Sequence, residues 1–179
     1  MLRKSLEICR ELGCCGHSVL AGETEPIFLS RYSRYVTKWF TYPSPLLAPE
    51  AFRTWLQATV ARHRVDVVIP TDDETVALLS RERPQGVGAL LPPQEAFRTL
   101  RDKATAAGAM AEAGVRHPET IAVTDVRELP AAISRLGLPL VIKPRISAGS
   151  RGLRIVHRPE DVAAEIGRAS CRERVCHNV

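Results

Sequence analysis

The stretch that decides the fold is LPLVIKPRISAGSRGLRIV, residues 138–156. Residues 138–142 are apolar and rich in β-branched side chains, which predicts a buried strand. A small, polar and basic segment follows over residues 145–152, and residues 153–156 alternate loosely between apolar and charged positions as a second strand would. Strand, Gly/Ser loop and strand together predict a hairpin. Its loop is too long for a tight turn, and loops of this kind commonly carry function.

The chemistry of this loop favours an anionic ligand. Two glycines let backbone N–H groups approach a ligand closely, two serines add hydroxyl donors, and three basic side chains supply positive charge. These residues are Gly149, Gly152, Ser147, Ser150, Lys143, Arg145 and Arg151. Polyphosphate is the ligand that uses all three features together. A solvated hairpin tip is the alternative, and the loop taken alone leaves it open.

Further motifs upstream extend this pattern in a fixed order. They are Asp102-Lys103, Ala113-Gly114-Val115, Pro118-Glu119-Thr120, and then the strand ending in Lys143-Pro144 with its loop. In residues, order and spacing the set resembles the front of the ATP-grasp fold, in the branch of the carbamoyl-phosphate synthetase and carboxylate–amine ligase families. The resemblance covers roughly residues 2–164. No single motif is unique to the family, but the combination is fairly specific.

The resemblance implies a set of nucleotide-binding residues. In the family, the lysine of the Asp-Lys pair reaches the nucleotide phosphates, and the lysine before the loop does so as well. The ATP-binding residues carried over in this way are Lys103, Lys143, Ser147, Ala148, Gly149, Ser150, Arg151 and Gly152. For Lys103 the alternative is a helix-surface lysine beside an N-capping Asp102, which spacing alone would favour.

The alternation of strands and helices predicts an α/β fold with a doubly wound parallel sheet over residues 1–92. The resemblance implies that this domain is of the pre-ATP-grasp type. Residues 93–164 are predicted to form a helical connector and the first α+β lobe of an ATP-grasp fold. A doubly wound domain normally begins with a strand, whereas this sequence begins with an amphipathic helix. We therefore expect a first strand to be missing, through truncation of the gene or an internal start at Met1.

An acidic cluster follows the apolar segment VDVVI, residues 65–69, which predicts a buried strand. Asp72, Asp73 and Glu74 come next, where strand ends of α/β sheets bind ligands, and they are candidates for substrate contact. The alternative is a helix N-cap with favourable charges at the helix dipole.

The C-terminal residues differ in character from the rest of the chain. Residues 165–175, EIGRASCRERV, resemble one translated reading frame of a common sequencing-library adapter, and the apolar helical period stops there. We therefore predict that 165–179 is a non-native tail and leave it out of the predicted fold. A genuine basic C-terminal helix is the alternative.

Composition excludes several classes of protein. The 179 residues are 45% hydrophobic and 25% charged, without a run of membrane-spanning length or a signal peptide, which predicts a cytoplasmic protein without a membrane partner. The net charge of +5 is spread over scattered arginines and does not predict nucleic-acid binding. Cys9, Cys14 and Cys15 show no metal-ligand spacing, which predicts structural or incidental thiols. Cys171 and Cys176, with His177, could suggest a metal site, but they lie in the predicted non-native tail, so we predict no metal site in this chain. A P-loop and a GxGxxG motif are both absent from the sequence.

Taken with the resemblance, these features predict the ATP-binding part of an ATP-dependent carboxylate–amine (or thiol) ligase that acts through an acyl phosphate. Its ligands would be ATP, Mg²⁺ and a small carboxylate or amine substrate. In the family, the magnesium-binding acids and the adenine pocket lie further downstream, so we expect this chain to be inactive alone. The alternatives are a non-catalytic nucleotide-binding or regulatory module, and a general anion binder. The substrate pair and the oligomeric state stay open.

Overall fold

A computed structural model describes residues 3–147, 149–150, 152–159, 161 and 174–178. The chain is α/β and divides into two compact units, Met1–Gln94 and Glu95–Val179. The sequence analysis placed this boundary after residue 92. No helix of the described residues is long and apolar enough to cross a membrane.

The first unit alternates helices and short parallel strands. Its elements are α1 (Arg3–Cys14), β1 (Val19–Glu23), β2 (Val36–Thr41), α2 (Pro49–His63), β3 (Val67–Val68), α3 (Asp73–Arg81) and β4 (Gly88–Ala89). The strands form two separate parallel pairs, β1 with β2 and β3 with β4. Helix α2 begins with Pro49 and Glu50 in its first turn, where proline needs no N–H partner and an acid suits the dipole.

Two apolar clusters hold the first unit together. Helix α1 buries Cys9 against Val19 and Ala21 of β1, with Phe28 beside them. The second cluster joins α2 to α3 through Phe52, Leu56, Val60 and Leu79. Both helices therefore pack their apolar stripes on strand residues, as expected for an α/β layer.

The predicted buried strand over 65–69 is wrong in extent and in burial. Only Val67 and Val68 form a ladder, and Val67 is 54% exposed. The physical reason is that β3 pairs on one side alone, with β4, so its other edge remains open among the described residues.

The second unit packs helices beside an antiparallel sheet. Its elements are α4 (Gln94–Arg101), α5 (Lys103–Glu112), β5 (Thr120–Val123), α6 (Leu129–Leu136), β6 (Leu140–Pro144), β7 (Arg154–Val156) and β8 (Arg174–Asn178). The strand order is β5-β8-β6-β7. The predicted hairpin is confirmed, because β6 and β7 pair antiparallel with Leu140 opposite Val156.

One face of this sheet forms the core against α6. Leu140 and Ile142 alternate along β6 and are 0% and 1% exposed. They pack with Leu129 and Ala132 at the start of α6. Val141 and Lys143 consequently point to the opposite face of the sheet.

Strand β8 falls in the segment that the sequence analysis left out of the fold. It lies between β5 and β6, with Cys176 opposite both Ile121 and Ile142. Val175 and Cys176 are 1% and 0% exposed, so the short apolar segment fills the centre of the sheet. A helix over 174–178 is thereby excluded. Residues 165–173 and 179 lie outside the described residues, and the non-native origin of 165–179 stays a prediction.

Candidate functional site

The loop between β6 and β7 adopts a conformation that favours glycine. Gly149, Ser150 and Gly152 have φ values of 62°, 58° and 72°. At Gly152 a Cβ would lie 2.7 Å from Pro144 Cγ, so a side chain there would collide with the end of β6. Ser150 holds a positive φ without being glycine, which is uncommon and is often found at functional loops. Ala148 and Arg151, also predicted here, lie outside the described residues.

Lys103 meets this loop, although the two are separated by more than forty residues. Its Nζ lies 3.3 Å from the carbonyl oxygen of Arg145, 3.0 Å from that of Ser147 and 3.1 Å from Ser147 Oγ. The backbone N–H of Lys103 also donates to the Arg145 carbonyl, at 3.0 Å. Helix α5 therefore begins against the start of the loop, and the side chain of Lys103 is half-buried.

Asp102 also holds the start of α5 against the start of the loop. Its Oδ1 accepts from the backbone N–H of Ala104 at 2.9 Å, so Asp102 has the N-capping role that the alternative reading gave it. Arg145 donates to both carboxylate oxygens, from Nε at 3.1 Å and from Nη2 at 2.5 Å. The side chains are only 16% and 24% exposed. The Arg145 hydrogen bond is the main cause that lowers the pKa of Asp102, so the pair is ionised at neutral pH.

Lys143 lies on β6, two residues before Arg145. It is half-buried and stands opposite Val175 of β8. Because side chains alternate along a strand, its ammonium group points away from the α6 core, on the face it shares with Val141. Strand β6 thus carries Lys143, and the loop that follows this strand contacts Lys103.

The acidic candidates lie in the first unit. Asp72 caps α3 by accepting from the backbone N–H of Thr75 at 2.8 Å and from its hydroxyl at 2.7 Å. Asp73 and Glu74 occupy the first turn of that helix, where their charges suit the dipole. Burial, followed by the charge of Asp72, raises the pKa of nearby Tyr42. The geometry gives Asp72 the capping role that was the alternative reading of this cluster.

Arg145 is the residue of this site whose structural role sequence reasoning missed. It was counted as one of three loop charges, whereas the structure commits its guanidinium to Asp102. The two residues lie 43 positions apart and share no local motif, so nothing in the sequence signals their pairing.

The second unit thus contains the predicted phosphate-binding residues that the structure describes. One compact unit contains three features: a glycine-rich loop with residues in the left-handed region of φ, a lysine at a helix start, and a lysine on the adjoining strand. Among the described ranges, no three His, Cys, Asp or Glu side chains gather where they could hold a metal ion. These residues fit phosphate oxygens and do not by themselves fit Mg²⁺.

Comparison with known proteins identifies an ATP-binding family that part of the chain resembles. Residues 102–177 match the family described as "Carbamoyl-phosphate synthase L chain, ATP binding domain". The methylcrotonoyl-CoA carboxylase subunit alpha of Oryza sativa subsp. japonica is 35% identical over 79 residues, which are 43% of this chain and 11% of that protein. The carbamoyl phosphate synthase large chain of Rubrobacter xylanophilus is 27% identical over 154 residues, which are 85% of this chain and 14% of that protein.

A solved structure extends the likeness across both units. The N5-carboxyaminoimidazole synthetase from Staphylococcus aureus, complexed with ADP, superposes with a TM-score of 0.70 at 16% identity, over 97% of this chain and 44% of that one. The chain therefore covers less than half the length of each of these proteins. The fold is that of an α/β protein, and the family that residues 102–177 match is an ATP-binding domain of the carbamoyl-phosphate synthase type. This part of the chain is therefore similar to the ATP-grasp carboxylate–amine ligases.

Proposed function

We propose that this chain supplies the phosphate-binding part of an ATP-dependent carboxylate–amine (or thiol) ligase. The observation that carries the proposal is the contact of Lys103 Nζ with both oxygens of Ser147. It joins the two motifs on which the resemblance rests, the Asp-Lys pair and the Gly/Ser loop. The ammonium groups of Lys103 and Lys143 and a glycine-rich backbone together suit the oxygens of a polyphosphate.

The proposed reaction proceeds through an acyl phosphate. A carboxylate oxygen of the substrate attacks the γ-phosphorus of ATP, and the bond to the ADP oxygen breaks. An amine or thiol then attacks the acyl carbon, and inorganic phosphate leaves. Lys103 and Lys143 would stabilise the charge on the phosphate oxygens, since phosphoryl transfer is catalysed mainly by positioning and electrostatics.

The loop would exclude water from this intermediate. Gly149, Ser150 and Gly152 would lie over the phosphates, with their N–H groups toward the oxygens. Mg²⁺ would neutralise phosphate charge in the intact ligase. Since the described residues offer no cluster of metal-binding side chains, no step is assigned to the ion here.

Nucleotide binding tests the proposal directly. We would titrate the chain with ATP by calorimetry and compare Lys103→Gln and Lys143→Gln. Loss of a charge-assisted hydrogen bond corresponds to about 10-fold or more in affinity, so both variants should weaken binding by at least that factor. Lys38→Gln, on β2 of the first unit, is the matched control and should bind like the parent chain. Equal affinity for all four proteins would refute the phosphate-binding role.

A measurement of turnover distinguishes a catalytic ligase from a protein that only binds ATP. We propose that this chain alone binds ATP without catalysis, because it matches only 11% and 14% of the length of the two relatives named above. A phosphate-release assay with ATP, Mg²⁺ and a panel of amino acids should show no release above background. Release that disappears in Lys103→Gln would overturn the proposed inactivity while supporting the ligase chemistry. Binding that falls steeply with salt and shows no preference for ATP over other anions would favour the general anion binder instead.

A further inference from the structure

Cation–aromatic pairs are concentrated where the chain enters strand β2. The Arg31 guanidinium carbon lies 3.8 Å from the centre of the Trp39 ring and 5.6 Å from that of the Tyr32 ring. The Arg34 guanidinium carbon lies 4.8 Å from the centre of the Tyr35 ring, and Arg34 Nη2 donates to the Tyr35 hydroxyl at 2.7 Å. In folded proteins, energetically significant pairs of this kind occur about once per 70–80 residues. Three pairs within residues 31–39 are therefore a distinct local feature of the chain.

These pairs lie on the side of β2 that faces α1. Trp39 contacts Phe28 edge-on, with ring centres 6.4 Å apart, and Phe28 belongs to the apolar cluster of α1. Tyr35 lies against Gly13 near the end of α1, where a Cβ would collide with the tyrosine side chain. Side chains alternate along a strand, so Lys38 points to the opposite face of β2. The β2 surface, as we name it, consists of Arg31, Tyr32, Arg34, Tyr35 and Trp39.

Two rings of the β2 surface are open to solvent. Tyr32 is 70% exposed and Trp39 is 40% exposed. In the described part of the chain β2 pairs with β1 alone, so no second neighbouring strand there shields these rings. Large aromatic side chains gain free energy when a ligand covers them. A ligand can therefore contact both rings without any rearrangement of the core.

The positive charge of this surface is not neutralised locally. Residues 27–49 contain three basic side chains and no Asp or Glu, so this segment carries +3 in a chain whose total is +5. Neither Arg31 nor Arg34 forms an ion pair with a described residue. Arg31 Nη1 donates to the carbonyl of Pro26 at 2.6 Å, which holds the guanidinium in place and leaves its charge uncompensated. The charge is therefore concentrated here, although the net charge of the whole chain is modest.

Two requirements define the ligand of such a surface. It must carry flat rings that stack on Tyr32 or Trp39, and repeated negative charges for the two arginines. Single-stranded nucleic acid meets both requirements, because its bases expose their faces and each nucleotide carries a phosphate. In a double helix the base faces are stacked on one another, and an acidic polypeptide supplies charge with few rings. Proteins that bind single strands without sequence preference combine cationic groups along the backbone with aromatic rings under the bases.

We propose that the β2 surface binds single-stranded nucleic acid. Bases stack on the exposed rings of Tyr32 and Trp39, and Arg31 and Arg34 donate to the phosphates. The planar guanidinium of an arginine held against a ring can also stack on a base. The six residues of β2 span about 20 Å, so the site covers only a few nucleotides and its affinity is modest. This inference concerns the first unit and is independent of ATP binding in the second.

Fluorescence anisotropy with labelled oligonucleotides tests the site. The 179-residue chain is titrated into single-stranded dT and rU oligomers of about 12 nucleotides, within the range of about 4–16 that single-strand sites occupy. Two phosphate contacts predict that log affinity falls with log salt with a slope of about −1.4. Between about 50 and 200 mM salt, the affinity should therefore fall about 7-fold. Binding of either oligomer supports the proposal, and the tighter one identifies the preferred sugar.

Two variants separate the rings from the charges. Tyr32→Ala should weaken oligonucleotide binding by about 5-fold or more, because stacking of one base on an aromatic side chain contributes at least that factor. Arg34→Gln should reduce the steepness of the salt slope by about 0.7. The matched controls are Leu100→Ala, an apolar side chain of similar exposure at 65%, and Arg116→Gln, an exposed arginine of the second unit. Both controls should bind like the parent chain.

Four results would overturn the proposal. The first is no binding of either oligomer at about 50 mM salt, where phosphate contacts are strongest. The second is equal affinity for duplex DNA or polyglutamate of matched length, which would indicate a surface that selects charge alone. The third is unchanged binding by Tyr32→Ala, or by Arg34→Gln if circular dichroism shows that the tyrosine variant is unfolded. The fourth is displacement of the oligonucleotide by saturating ATP, which would place the binding in the second unit.

Discussion

The junction between Asp102 and Arg145 should contribute measurably to the stability of the second unit. Asp102→Ala removes an N-cap, worth about 1 kcal/mol, and charge-assisted hydrogen bonds worth about 1.5–3 kcal/mol. The side chains are 16% and 24% exposed, so the partner left behind is not fully rehydrated. We expect a total cost of about 2–4 kcal/mol for Asp102→Ala, and about 1.5–3 kcal/mol for Arg145→Ala, which leaves the cap intact.

A double-mutant cycle isolates the pair from the cap. The coupling energy between the two substitutions should be about 1.5–3 kcal/mol, because both remove the same two hydrogen bonds. The matched control is the ion pair of Arg135 and Glu119, whose nitrogen and oxygen lie 2.6 Å apart on the same unit but whose side chains are 71% and 46% exposed. Its cycle should give no more than about 0.5–1 kcal/mol.

The assay can observe the two units separately. Both tryptophans and all three tyrosines lie in the first unit, so tryptophan fluorescence reports on that unit alone. Urea unfolding by far-UV circular dichroism reports on both units together, and amide exchange at Ala106 and Ala107 of α5 reports on the second. A coupling energy below about 0.5 kcal/mol, or one equal to that of the control pair, would refute the reasoning.

The pH dependence of this pair has a defined sign. The pKa of Asp102 lies below its ordinary value of 3.8 in the folded chain, so the contribution of the pair is complete above that value. It is lost as the pH falls through the lowered pKa of the folded state. The stability difference between the parent chain and Asp102→Asn should therefore be constant above about pH 5 and shrink below about pH 4. A difference that instead shrinks near neutral pH would contradict this assignment.

Three further predictions follow from burial. Leu140→Ala should cost the second unit about 2–5 kcal/mol in urea unfolding, because its side chain is fully buried, and a cost under about 1 kcal/mol would contradict the packing. Deletion of residues 165–179 removes the strand between β5 and β6, so the second unit should lose its cooperative transition while the tryptophan transition persists. Cys14 and Cys15 are exposed and should react with a thiol reagent within the native protein, whereas Cys9, whose pKa burial raises, should react only on unfolding.

The sequence predicted elements well wherever local chemistry determines them. Asp102 caps α5, as the alternative reading of the Asp-Lys pair had it, and the strands β6 and β7 that were expected to flank the Gly/Ser loop are present. Helix caps, glycine-rich turns and apolar runs depend only on residues close together in the chain. They can therefore be predicted from the sequence. Strand length was less predictable: VDVVI has the composition of a buried strand, but the open edge of β3 exposes Val67.

Features that depend on distant partners were not predictable in this way. The pairing of Arg145 with Asp102 joins residues 43 positions apart, and no spacing rule selects one arginine of the loop over another. Strand β8 was not predicted, because residues 165–179 were left out of the predicted fold as a non-native tail. Its apolar content is two residues, Val175 and Cys176, and they are buried only because β5 and β6 flank them. The sheet, and not the local pattern, determines that this short segment is a strand.

The contacts of Lys103 bear on how the loop would accept a phosphate. An ammonium group has three donors, and the three oxygens of Arg145 and Ser147 that surround it match that number. A phosphate oxygen that binds Lys103 must therefore displace at least one of them. Displacing Ser147 Oγ or its carbonyl would also release the start of the loop, so phosphate binding and loop movement would be coupled through one side chain. Ser147→Ala, which removes only the hydroxyl acceptor, should then weaken ATP binding far less than Lys103→Gln does, and an equal loss in the two variants would show that Lys103 serves the loop and not the ligand.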